Sequence, residues 1–155
     1  MKYVGKNSLS AFIKILILTC MILGVLIMAT LPWTLEYLIN FFYEKSGAES
    51  LYAFYMIILY ILGLSLMVIL NELRVIFNSL EKSDPFTERN VTALKRMALT
   101  GAFICAVFIV KIYVANSLMT IVALFVFIVA ALFALVLSEV FKKAVEYKDD
   151  HDLTI

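Results

Sequence analysis

Four apolar runs, each about 20 residues long, dominate this 155-residue chain and leave it few folds to adopt. A helix needs about 20 apolar residues to cross the hydrocarbon of a bilayer, and backbone in lipid must satisfy its own hydrogen bonds. The runs fall over about 12–31, 51–70, 97–115 and 118–138. They predict an all-α integral membrane four-helix bundle forming a single domain. Hydrophobic residues make up 64% of the chain and charged ones 16%, which excludes an ordinary soluble domain. The net charge of +1 leaves no basic field for nucleic acid, so no direct nucleic-acid binding is expected.

A basic start, with Lys2, Lys6 and Lys14, precedes the first run. Such a start also opens signal peptides, but the run is long, no clear Ala-x-Ala cleavage site follows, and three more spans come later. A retained helix is the better reading. Pro32-Trp33 is expected to end or kink that helix at the membrane surface, since proline lacks the ladder donor and indole suits the headgroup level. Beyond it, Leu35, Leu38, Ile39 and Phe42 recur at helical spacing. They fit either a short amphipathic helix in the interface or an extension of the first span.

The second run passes into a polar connector, residues 71–96. Its helical pattern continues into water, with Leu73, Ile76, Phe77 and Leu80 on one side and Glu72, Arg74, Asn78 and Glu81 opposite. Asp84-Pro85 should stop it, because the residue before proline is driven from the α region. Thr87 or Asp84 can cap the next helix, with Glu88 in its favourable first turn. The third span carries Ala98, Gly101, Ala102, Cys105 and Ala106, and the fourth Ala130, Ala134 and Ser138. Small-residue stripes let helices approach closely in lipid, within one bundle or between subunits of a homo-oligomer. Asn116-Ser117 leaves only a tight turn between these spans, so they form an antiparallel hairpin. Lys111 lies near that end and can snorkel to headgroups. Residues 139–155 form a tail ending in acidic side chains.

Of the 13 Lys and Arg, only Lys45 and Lys111 fall on the side opposite the connector and termini. The positive-inside rule therefore predicts both termini and the connector in the cytoplasm. Trp33, Tyr37, Phe41, Tyr43, Tyr52 and Tyr113 would form the outer aromatic belt.

Chemistry is sparse. Lys14, Lys111 and Glu139 all lie near span ends, which disfavours a proton-coupled exporter needing a buried carboxylate. Gly24 and Gly63 are isolated and mark no unwound segment. Cys20 and Cys105 lack the paired spacing of a disulfide, a metal site or a quinone-linked thiol oxidase. His151 stands alone among Asp149, Asp150 and Asp152, a solvated tail without metal-ligand spacing. No His, Asp or Glu constellation faces one aqueous surface, so no enzyme, cofactor or metal site is expected. Two features exceed what topology needs. Asp84-Pro85-Phe86 adds a phenylalanine to a turn that requires only Asp-Pro, with Asn90 following. Asp152-Leu153-Thr154-Ile155 ends a charged tail on apolar side chains.

Together these residues resemble a family of bacterial four-helix membrane proteins known as domain of unknown function 2975. The resemblance rests on Pro85, Phe86, Asn90, Leu94 and Arg96, and on the terminal Asp152, Leu153, Thr154 and Ile155, with span order matching along nearly the whole chain. The glycine that often precedes the family's Pro-Phe is replaced by Ser83 or Asp84. The resemblance implies a multi-pass protein of the bacterial plasma membrane, no known catalytic activity, and partnership with small helix-turn-helix regulators. The candidate interaction residues are thus Asp84, Pro85, Phe86, Asn90, Arg96, Asp152, Leu153 and Ile155. The alternative is a small transporter or immunity-type protein acting within the bilayer through a cavity between helices, for which substitutions at Ala102, Cys105 or Ala134 should outweigh those in the connector.

Overall fold

The computed structural model describes residues 4–42, 48–81 and 85–152. They form four helices: α1 (Val4–Phe42), α2 (Ala48–Glu81), α3 (Glu88–Val114) and α4 (Leu118–Asp152). Each contains a stretch long and apolar enough to cross a membrane, with mean hydropathies of 2.7, 2.5, 2.2 and 3.1 in chain order. At 1.5 Å per residue, the 39 residues of α1 reach roughly 58 Å, well beyond the roughly 30 Å of hydrocarbon. The helices therefore overrun the bilayer, and α2 and α4 carry their ends into the connector region. The spans keep most of their apolar side chains uncovered, with Ile15, Val25, Ile27, Val126 and Leu132 among those exposed. Water would penalise a surface of that extent, whereas lipid matches it.

The helices pack in chain order. Helix α1 lies against α2, α2 against α3 and α3 against α4, and no other pair approaches among the described residues. The expected bundle is accordingly an open row, not a closed ring.

Reciprocal small-to-large contacts hold α1 on α2. Gly24 of α1 faces the Met67 side chain of α2, and Gly63 of α2 faces Met28 of α1. A Cβ added to Gly63 would lie 3.0 Å from Met28 Sδ. Nearer the α1–α2 connection, Leu31, Leu35 and Ile39 are buried against Tyr52, Tyr55, Met56, Leu59 and Tyr60. Of the two outcomes expected at Pro32-Trp33, an end or a kink, the end does not occur, since α1 continues as helix through Pro32. Proline leaves the carbonyl four residues earlier, Met28 O, without its helical donor. Tyr60 Oη of α2 donates to that same oxygen at 3.2 Å. Residues 35–42 are thus an extension of the first helix, with Leu35 and Ile39 buried against α2 and Leu38 exposed.

Helices α3 and α4 approach most closely at Gly101, where a Cβ would sit 3.0 Å from Ala131 Cβ. Ala98, Gly101, Ile104 and Cys105 are buried on α3, Ala134 and Ser138 on α4. Only part of each predicted stripe is used. Ala102, Ala106 and Ala130 are exposed, and the large Ile104 is completely buried instead. The connecting turn is as short as predicted. Ala115 N donates to Lys111 O at 2.8 Å, and Ser117 O accepts from Thr120 N and Ile121 N to start α4. Lys111 does not extend away from the protein; its Nζ donates to the buried Thr120 Oγ1 and lies 5.7 Å from the centre of the Tyr55 ring.

Candidate interaction surface at the connector

Three residues outside any helix, Pro85 to Thr87, precede α3. Thr87 is the N-cap, at φ −129° and ψ 148°, and its side-chain oxygen accepts from Asn90 N at 3.4 Å. Its carbonyl accepts from Asn90 N at 3.0 Å and from Val91 N at 3.2 Å. Helix α3 thus begins on the first of the two capping residues anticipated, and the other, Asp84, lies outside the described residues.

Asn90 is wholly buried. Its Nδ2 donates to Pro85 O at 2.7 Å, tying the first turn of α3 back to the proline. Its Oδ1 is buried without a partner among the described residues. A buried amide oxygen left unmatched costs about 1–3 kcal/mol, so this side chain is retained against a local penalty. What it secures is the carbonyl of Pro85, the residue before Phe86.

Phe86 remains 42% exposed, and its ring stands 5.3 Å from that of Phe141 on α4, tilted by 56°. Phe141 in turn packs against a small apolar cluster of Ile76, Ala93 and Leu94, alongside Val75, Met97 and Leu137. Three helices therefore meet in this cluster. Val145, one turn past Phe141, is also buried, so α4 keeps an apolar stripe on this side beyond its span.

Arg96 belongs to a different face. Its Nη1 lies 3.2 Å from Oε1 of Glu72 on α2, with the Glu72 side chain 9% exposed and that of Arg96 65% exposed. Glu72 departs from its expected place on the solvated side of α2. Ser65, Glu72 and Ile76 follow one another at seven- and four-residue steps and are all buried, which puts the glutamate on the packed face. Lys95 reaches Glu139 of α4 at 3.9 Å, but both side chains are about half exposed and water screens the pair.

Pro85, Phe86 and Asn90 come together as one unit, while Arg96 is two turns away on the α2 side. Asp152 is the last residue of α4, which continues as helix through the acidic stretch to that point. Leu153, Thr154 and Ile155 lie outside the described residues. Sequence reasoning missed Phe141 and Tyr60 and put Glu72 on the wrong side of α2. Phe141 carried a signal, since it continues the series Ala134, Ser138 at helical spacing. Among the described residues, no three His, Cys, Asp or Glu side chains gather where a metal could bind.

No curated protein and no solved structure matches the chain. A family model described as Protein of unknown function (DUF2975) matches residues 7–155.

Proposed function

The chain belongs to the DUF2975 family, and from that premise we propose that it is a non-enzymatic interaction protein of the bacterial plasma membrane. In this reading both termini and the connector are cytoplasmic, and the Pro85-Phe86 turn is the surface offered to a partner. The observation that carries it is the pairing of an exposed Phe86 with a wholly buried Asn90 that pins the turn from beneath. An aromatic ring held on a preorganised turn loses little conformational entropy on docking, which is what an interface anchor requires. Asp152, Leu153 and Ile155 would add acidic and apolar contacts from the tail, and Asp84 would complete the turn. The partner implied by the family resemblance is a small helix-turn-helix regulator. Its recruitment to the membrane would control how much of it is free to act.

A photo-crosslinking amino acid in place of Phe86, used in native membranes, tests this reading. The expected result is a defined adduct with such a regulator, lost when Asn90 is also changed to alanine in a correctly inserted protein. Adducts with lipid alone, or an unchanged adduct after the Asn90 change, would remove the basis for it.

A further inference from the structure

The seam between α2 and α3 opens on the outside of the row as two clefts that follow one another. The first, about 580 Å³, is lined by Leu64, Val68, Leu99 and Phe103, with Ser65 and Thr100 as its polar members. The second, about 410 Å³, is lined chiefly by Asn71, Glu72, Glu88, Arg89, Thr92 and Arg96. Their residues continue the same faces: Leu64, Val68 and Asn71 descend α2 at three- and four-residue steps, and Phe103, Leu99, Arg96 and Arg89 descend α3. The change from apolar to polar lining falls between residues 70 and 71 on α2 and between 96 and 97 on α3. Those are the places where the chain itself turns from apolar to polar, so the junction lies at headgroup depth.

We infer that this seam holds a single phospholipid with a zwitterionic headgroup bearing a primary amine. The apolar cleft extends from Asn71 back to Leu64, about 10 Å at 1.5 Å per residue, and a leaflet is about 15 Å deep. One acyl chain lying along it would cover most of the groove. The polar cleft presents two carboxylates, Glu72 and Glu88, and two guanidinium groups, Arg89 and Arg96. A purely anionic headgroup would meet as much repulsion as attraction there. A phosphate followed by an ammonium meets a guanidinium and then a carboxylate, each forming a charge-assisted hydrogen bond. A quaternary choline lacks the N–H donors the carboxylates need, which selects ethanolamine-type headgroups. Among the described residues Glu72 is already held by Arg96, so Glu88 and Arg89 are the charges assigned to the lipid.

The test uses full-length protein purified in mild detergent from vesicles with equal parts phosphatidylethanolamine, phosphatidylcholine and phosphatidylglycerol, followed by mass spectrometry of the retained lipid. Wild type is expected to retain phosphatidylethanolamine about fivefold over either competitor, the scale of a few half-exposed charge contacts. Glu88→Gln combined with Arg89→Gln should abolish the preference without changing helicity. Ala102→Trp, which places a ring in the apolar cleft from an exposed position, should lower retention of all three lipids. Equal retention by wild type, or a preference for phosphatidylglycerol, would overturn the headgroup assignment. Efficient disulfide formation between two copies of a Leu99→Cys variant in bilayers, persisting as lipid is added, would show a second chain in the groove and overturn the lipid itself.

Discussion

Asn90 concentrates three jobs in one side chain: it continues a capped helix, donates to Pro85 O, and leaves an acceptor buried. The donor is what matters for the turn. Asn90→Asp keeps the shape but removes the N–H donors and buries a charge, so it should destabilise the protein more than Asn90→Ala does. We expect about 1–2 kcal/mol for alanine and more for aspartate, measured by reversible unfolding in mixed micelles. A second residue-scale prediction concerns Tyr60. Its hydroxyl supplies the donor that Pro32 withholds from Met28 O. Tyr60→Phe should therefore cost about 1 kcal/mol in wild type. In a Pro32→Ala background the ladder closes by itself, and the same change should then cost markedly less. Equal costs in both backgrounds would mean that the hydroxyl and the proline are unrelated.

Glycine packing separates the two helix hairpins at the level of the element. On α3, the atom facing Gly101 is Ala131 Cβ, which has no torsion to move it aside. On α2, the atoms facing Gly63 belong to the flexible end of Met28. Gly101→Ala should accordingly lose about 1–3 kcal/mol through overpacking and recover much of it when Ala131 becomes glycine. Gly63→Ala should be near neutral, because methionine adapts and alanine favours the helix. Paired unfolding measurements on the two variants decide the point. The same elements show what could be read from the sequence. Four helices long and apolar enough to cross a membrane, the cap at Thr87 and the tight turn at Asn116-Ser117 follow from local chemistry, and these appear in the structure. The passage of α1 through Pro32 is accompanied by a hydrogen bond from a hydroxyl 28 residues further along, which local propensity cannot register. Glu72 was misplaced for a related reason. A charge was assigned to water by type, although its helical position lies on the packed face and its partner Arg96 comes from another helix. The stripes of small residues were legible as a tendency, but which of them would face a neighbour depended on the rotation of whole helices. Of the connector surface, Pro85, Phe86 and Asn90 are legible as a group, and helical spacing marks Phe141, whereas its pairing with Phe86 is not legible.

For the whole molecule, the distribution of lysine and arginine makes a directional prediction. In a background where Cys20 and Cys105 are replaced by alanine, Asn116→Cys at the α3–α4 turn should react with a membrane-impermeant maleimide in intact cells. Lys142→Cys should react only after permeabilisation. The reverse pattern would invert the protein and put the Phe86 surface out of reach of any cytoplasmic partner. The row of helices has a further consequence for how the protein is made. Each helix rests on the one synthesised just before it, and α1 and α4 never need to meet. A ribosome feeding the chain into the membrane would thus deliver every segment beside a waiting neighbour, with no long search and no unfinished surface left for the last helix to close. Assembly can keep pace with translation, one helix at a time.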